Sequence, residues 1–402
     1  MRSISHLVSL PKSYFGATRD LKILYYDRVI RDLVNKLVFF FFPIYLFDLG
    51  KAMLADRFAI PTWQAGISVL AGYYILYRFL VMILVIPIGR LTTKTGYQRA
   101  LIYSYVVRMV SFLFFFLSVR YPQVLGVNIV LEAIQVSLYW PAYHTLLAKN
   151  TLKKKMGSQL GVAQVLLLLA GVMAPAISGL LNTELGFQFI FFVGLVGTAA
   201  SLCVVLLLGQ KPDSDVVSWP ELISWLKERR YERFTIAISG RYIYDTILYL
   251  WPLYLFILFG TVERVGFIAS IALFLALIVT VIATVKLDAA KKSTSFRVSG
   301  TTIALTWLFR TQVFSIWGIA LADAVDKVSS NYHWLSFDMT WYKRGKGSQA
   351  HSYFVYHELL QSLALVLIWL VVLVILLTTG SWQALFVIAG IGTLLTLLLR
   401  EK

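Results

Sequence analysis

Asp323, Asp326, Ser330 and His333 follow one another at intervals of three and four inside an otherwise apolar stretch, so a helix carries all four on one face. Carboxylates in such a setting do one of two things. They take up a proton when desolvated and release it when hydrated, or they close an ion pair within the helix, here Asp323 with Lys327 at i,i+4. Glu132, Gln135 and Tyr139 form a second such face, and Glu132 is placed either for a proton or for an ion pair with Arg78 or Arg108. Arg241 and Asp245, four apart, either pair with each other or leave Arg241 to hold an anionic group of a solute. Lys36 has a comparable apolar setting, and His357, Glu358 and Gln361 cluster in another. His144 and His351 lie near the edges of their stretches and carry no assigned role. Trp140, Tyr244, Trp251 and Trp334 offer faces for stacking a solute, or anchor and pack the helices. One cysteine, Cys203, and five scattered histidines build no common metal site, and no loop carries a Walker-type glycine pattern. The chain is therefore read as a non-enzyme without metal or cofactor.

The elements that hold these side chains are set by composition. Of 402 residues 59% are hydrophobic and 14% charged, with a mean hydropathy of +0.75, and a soluble chain of this length needs more polar surface. The apolar residues come in blocks of about 20, the length of helix that crosses a bilayer. Runs such as Val165–Ala170 do not alternate in polarity, so the spans are helices and not strands of a barrel. Twelve spans are read at roughly 30–50, 64–88, 98–118, 123–148, 157–181, 186–208, 235–260, 265–285, 294–312, 314–341, 350–377 and 382–399. Most of the 37 Lys and Arg residues then fall on alternate loops and both termini, while the opposite loops hold Lys51, Arg57, Arg120 and Arg264. That asymmetry places both termini in the cytoplasm of a multi-pass protein of the cell membrane. It also assigns the net charge of +17 to anionic lipid headgroups and not to nucleic acid.

The chain divides into a bundle over 1–208 with an amphipathic N-terminal segment, a linker over 209–234, and a second bundle over 235–402. In the linker, Ser218 and Glu221 have the spacing of a capping box before an amphipathic helix. The halves repeat. Pro43-Ile-Tyr45-Leu-Phe47 matches Pro252-Leu-Tyr254-Leu-Phe256, and Gly157-Ser-Gln159 matches Gly347-Ser-Gln349, in the same order and at corresponding spans.

This layout resembles the major facilitator superfamily. The loop between spans two and three reads Gly89-Arg-Leu91-Thr-Thr93-Lys94-Thr-Gly96-Tyr97-Gln-Arg99, similar to that family's signature; Thr93 stands at its acidic position and Tyr97 replaces its second cation. The second-half loop Leu287-Asp288-Ala-Ala-Lys291-Lys292 keeps an acid before its cations. Span five carries Gly171-Val-Met-Ala-Pro175-Ala-Ile-Ser-Gly179, which looks like the motif of exporters in the family, or simply allows close packing and a kink. The resemblance implies a fold of two six-helix bundles and a central cavity lined by spans one, four, seven and ten. It puts Lys36, Glu132, Gln135, Tyr139, Arg241, Asp245, Asp323, Asp326 and His333 at that cavity, Gly89, Leu91, Lys94, Gly96 and Arg99 in a gating loop, and span eleven behind. The expected activity is secondary transport of a small organic solute by alternating access, coupled to protons and favouring efflux, by a monomer. A lipid flippase on the same fold and a non-transporting receptor or scaffold are the other readings.

Overall fold

A computed structural model describes residues 16–152, 155–209, 215–286, 292–347 and 349–399. The acid-and-cation loop at 287–291 lies outside the described residues. Span one is two helices, α1 (Arg19–Phe39) and α2 (Phe42–Phe58), interrupted at Phe40 and Phe41 just before Pro43, which has no amide to continue the ladder. Thr18 caps α1 by accepting from Leu21 N. The helix starts well before the apolar run read from residue 30, because Leu21, Leu24 and Tyr25 are buried against the bundle while charged residues share the same turns. Spans two to four are α3 (Thr62–Thr95), α4 (Tyr97–Ser118) and α5 (Leu125–Asn150). Gly96, at φ 94°, makes the one-residue break between α3 and α4. Spans five and six are α6 (Met156–Gly171) and α7 (Ala174–Val205), where α7 turns at Gly186 so that its first part completes span five.

The linker helix α8 (Trp219–Lys227) begins at Ser218, whose hydroxyl accepts from Glu221 N, as the capping-box spacing predicts. Spans seven to twelve are α9 (Arg229–Phe259), α10 (Val262–Lys286), α11 (Lys292–Arg310), α12 (Ile316–Gly345), α13 (Ala350–Thr378) and α14 (Trp382–Thr396). Among the described residues there is no strand, and the protein is an all-α membrane protein of twelve spanning helices in two bundles. Seven described segments are long and apolar enough to cross a bilayer by length and composition alone. Span ten is not one of them, since Asp323, Asp326 and Lys327 interrupt it.

The repeat is visible in the packing. Tyr45 in span one lies against Phe187 and Phe191 of span six, with ring centroids 5.0 and 5.2 Å away. Its counterpart Tyr254 in span seven lies against Trp382 and Phe386 of span twelve at 5.3 and 5.1 Å. The two bundles meet along two seams, α3 on α13 and α7 on α10. Small residues let the backbones close: a Cβ on Gly89 would lie 2.8 Å from Val355, and one on Gly179 3.0 Å from the carbonyl of Val262. Buried apolar side chains gather in two layers. One is at the end bearing the Lys- and Arg-rich loops, here the basic end, and the other is at the opposite end. The polar residues lie between.

Candidate functional site

A cavity of about 460 Å³ occupies that middle zone. Its N-terminal wall is Arg31, Asn35 and Lys36 from span one, Arg108 from span three, and Glu132 and Gln135 from span four. Tyr73, Tyr74, Tyr77 and Arg78 of span two line one side. The C-terminal wall is Asp245, Thr246 and Tyr249 of span seven with Gln361, Leu365 and Trp369 of span eleven. Two further chambers share residues with it. A side chamber of about 250 Å³ shares Lys36, Phe40, Asp245 and Tyr249, and ends at Arg310, Asp323 and Lys327. A chamber of about 280 Å³ toward the basic end shares Trp140, Tyr242, Asp245 and Gln361, and contains Arg28, Arg241 and Asp338.

Contacts between the bundles flank the space toward both ends. Toward the opposite end, Tyr74 donates to the Tyr249 hydroxyl (2.6 Å) and stacks on Trp369 (4.5 Å), and Trp63 Nε1 donates to the carbonyl of Leu376 (3.3 Å). Toward the basic end, Arg78 pairs with Glu358 (3.2 Å) and His144 Nδ1 lies 2.6 Å from the Tyr342 hydroxyl. His351 Nε2 meets the carbonyl of Gly89 at 3.1 Å while its Nδ1 lies 3.2 Å from Thr145 Oγ1. The histidines left without a role in the sequence thus bridge the halves. The linker joins this seal: Asp215 accepts from the backbone amides of His351 (2.7 Å) and Ser352 (3.0 Å), and Arg90 Nε donates to the carbonyl of Val217 (2.8 Å). Gly89 is part of the seam, whereas Leu91 is exposed and Thr93 bonds only its own helix. The Gly96 break lets α4 begin at Tyr97 and carry Arg99 on its first turn, and Lys94 ends α3.

The sequence-derived residues separate into three groups. Lys36, Glu132, Gln135 and Asp245 line the main cavity. Arg241 lies in the basic-end chamber, paired with Asp338 and, at 3.6 Å, with Asp245. Asp323 reaches the side chamber. Tyr139, Asp326 and His333 are not in the cavity wall. Tyr139 donates to the buried Asp27, as does Tyr105. His333 lies behind span ten, against the Thr396 hydroxyl (2.7 Å) and stacked on Phe296. Of the two readings for Asp323, a protonatable carboxylate or an ion pair with Lys327, neither describes its contacts: it pairs with Arg310 of span nine, which lies 2.6 Å from Asp323 and 3.5 Å from Asp326. Trp251 Nε1 donates to Asp323 (3.1 Å), and the Tyr244 hydroxyl to Asp326 (3.1 Å). Glu132 has neither expected arginine: Ser111 donates to it at 2.5 Å, and Arg78 is taken by Glu358. Span eleven, expected behind the cavity, lines it, and span ten reaches only the two side spaces.

Arg31, Asn35 and Arg310 were missed by sequence reasoning. The first two were legible in principle: Arg28, Arg31 and Asn35 recur at three- and four-residue spacing, as do Asp32 and Lys36 beside them, which extends span one toward residue 19. Gly171 holds Lys36 in place, because a Cβ there would overlap the ammonium that now donates to the Leu167 carbonyl at 3.1 Å. Pro175 and Gly179 pack on span eight at the second seam.

Comparison with known proteins follows from this layout. The sequence profile of the Major Facilitator Superfamily matches residues 29–325. The structure of the human organic anion transporter MFSD10 (TETRAN) superposes with a TM-score of 0.71 at 12% identity, covering 94% of this chain and 98% of that one. FucP, a transporter of the same superfamily in the outward conformation, superposes with a TM-score of 0.65 at 12% identity, covering 96% and 98%. At that identity these likenesses speak to the fold. No curated protein matches in sequence.

Proposed function

The chain belongs to the major facilitator superfamily, a family of membrane transporters, and from that premise we propose that it is a proton-coupled secondary carrier of a small organic solute. The observation that carries this reading is the cavity of about 460 Å³ shared by the two bundles, with contacts between them on the side of each end. A solute held there reaches one side when the basic-end contacts part and the other when the Tyr74–Tyr249–Trp369 contacts part, which is alternating access. The volume suits a small organic molecule, and the tyrosines and tryptophans of the wall supply apolar faces beside polar groups.

Asp245 is the favoured proton carrier, with Glu132 second. Asp245 borders all three chambers, its side chain is 41% exposed, and its contact with Arg241 is loose at 3.6 Å. A carboxylate that alternates between wet and dry surroundings binds and releases a proton in step with the cycle. Asp323 and Asp326 fit that role poorly, since both are buried and held by Arg310. The charge asymmetry of the loops supports cytoplasmic termini in the cell membrane, and the span-five motif favours efflux.

The test is reconstitution of the full chain in liposomes loaded with a pH-sensitive dye and challenged with a panel of small organic acids, bases and zwitterions. At least one class should drive solute-dependent proton movement. The Asp245→Asn variant should retain solute exchange and lose accumulation driven by a pH gradient. If no member of the panel exchanges across the membrane, or the variant still accumulates solute in response to the gradient, the reading is wrong.

A further inference from the structure

Of the eight described cations that reach these chambers, four have a carboxylate in contact. Lys36 pairs with Asp32, Arg78 with Glu358, Arg241 with Asp338 and Asp245, and Arg310 with Asp323 and Asp326. Arg31 and Arg108 differ. Both are 3% exposed and border the main cavity, and among the described residues neither has a carboxylate within 4.0 Å. Their hydrogen-bond partners are neutral amides, and the Arg31 guanidinium also lies over the Tyr139 ring at 3.6 Å. Arg108 Nη2 donates to Asn35 Oδ1 at 2.6 Å. With its amide oxygen turned to the guanidinium, Gln135 accepts from Arg31 at 3.0 and 3.2 Å, and Arg31 Nε has no hydrogen-bond partner. Asp27 and Glu132 lie close enough to Arg31 and Arg108 to feel their charge but not in contact, and take their hydrogen bonds from Tyr105 and Tyr139 and from Ser111. Arg28 in the basic-end chamber and Lys327 in the side chamber also lack a carboxylate in contact.

A buried guanidinium with no carboxylate in contact is incompletely compensated and gains when an anion arrives to complete it. An amide oxygen satisfies the N–H groups while the cavity is empty and can yield them, because it binds them less strongly than a carboxylate or sulfonate does. From this we infer that Arg31 and Arg108 form an anion subsite on the N-terminal wall, made for the single oxyanion group of a soluble organic acid whose apolar part rests on Tyr74, Trp140 and Trp369. Planar guanidinium groups suit carboxylate, sulfonate and phosphate oxygens, which they engage through paired N–H donors. The inference rests on the cavity being the solute site, and it names the class of that solute.

The purified full chain in detergent is titrated with benzenesulfonate, benzyl alcohol and benzyltrimethylammonium, followed by quenching of tryptophan fluorescence. Benzenesulfonate should bind, and the neutral and cationic probes should not at the same concentrations. Arg31→Gln and Arg108→Gln should each weaken binding at least tenfold, while Arg57→Gln, exposed in the last turn of α2, should leave it unchanged. Bound benzenesulfonate should also slow modification of Arg31 and Arg108 by phenylglyoxal in the unaltered protein, a readout that needs no variant to fold. Equal binding of the cationic probe, unchanged affinity in both glutamine variants, or no protection would overturn the subsite. Competition by phosphatidylglycerol would transfer it to a lipid headgroup and overturn the assignment to a soluble acid. A chain that binds benzenesulfonate through these arginines but exchanges no panel solute across liposomes keeps the subsite and loses the carrier reading. One that exchanges cations unaffected by both glutamine variants does the reverse.

Discussion

The cluster of Arg310, Asp323 and Asp326 gives a prediction whose size follows from its geometry. Arg310 is 1% exposed and contacts both acids, which are themselves 4% and 0% exposed, and its remaining nitrogens Nε and Nη1 find no hydrogen bond. Instead the guanidinium lies over the rings of Trp251 and Trp307, at 4.5 and 4.1 Å. Arg310→Met keeps most of the volume and removes the cation. Breaking a buried ion pair at one partner costs about 3–5 kcal/mol. Here Trp251 still donates to Asp323 and Tyr244 to Asp326, and each such bond contributes about 1 kcal/mol. The expected loss is therefore at the low end, about 3 kcal/mol, roughly a hundredfold in the folding equilibrium. Neutralising the acids as well, in Arg310→Met/Asp323→Asn/Asp326→Asn, should recover most of that loss, since removing a whole buried ion cluster is often neutral. Stability is read from denaturant titration in micelles, and function from solute exchange in liposomes. If Arg310→Met is as stable as the unaltered chain, the cluster is not a dry ion network. If the triple variant is no more stable than the single one, charge balance is not what Arg310 supplies. A well-folded triple variant that exchanges solute but no longer responds to a pH gradient would return Asp323 and Asp326 to proton coupling.

Three further outcomes are expected. Gly171→Ala should lower exchange severalfold with little change in stability, because its methyl displaces Lys36 from Leu167 and Asp32; exchange at the unaltered rate would show that the position of Lys36 is immaterial. Asp215→Ala removes the acceptor for the first amides of α13 and should cost about 1–2 kcal/mol. In a Cys203→Ser background it should also speed maleimide labelling of a Tyr342→Cys variant at the basic-end seal, and unchanged labelling would separate the linker from that seal. Arg78→Glu and Glu358→Arg should each impair exchange, and the double exchange of charges should restore part of it, since the pair spans the two bundles at 3.2 Å; no recovery would mean that the pair does more than hold them together.

What the sequence revealed and what it hid have a common physical cause. Spans announce themselves through hydrophobicity, and so does the repeat, because Pro43 and Pro252 sit in matching apolar contexts. Intervals of three and four place side chains on a face but do not say which neighbour that face meets. Asp323 and Asp326 share a face, yet both meet Arg310 there, and Asp323 alone of the two also borders the side chamber. That arginine ends an apolar helix (Lys292–Arg310), where it reads as an interface anchor. At span one the charges themselves hid the helix. Asp27, Arg28, Arg31 and Asp32 look like a polar leader until their partners on spans three and four are known. The Thr93 departure in the loop signature did not point to the carboxylate at the start of span eleven, which comes from Asp215, three residues before the linker's capping box.

The repeat also explains why the cavity has a polarity. In the register that aligns Pro43 with Pro252, Asp32 falls on Arg241 and Lys36 on Asp245. Each pair is an i,i+4 ion pair on the first span of its bundle, at 2.8 and 3.6 Å, and the order of the charges is reversed. Lys36 and Asp245 both border the main cavity and the side chamber, so one bundle presents a cation where its twin presents an acid. Asn35, which holds Arg108, falls on Tyr244, which holds Asp326. Arg31 falls on Gly240, where span twelve approaches so closely that a Cβ would overlap the carbonyl of Gly392. A second arginine cannot fit there, so the guanidinium groups of the main cavity stay on the N-terminal wall and on span two. On the proposal of an anionic solute, its charged group would be drawn to that wall, and Asp245, across the cavity, would lie beside the rest of the solute with only a loose partner. Moving the anion toward or away from Asp245 would then change how well that carboxylate tolerates its own charge, the electrostatic route by which the proposed proton coupling would follow solute occupancy.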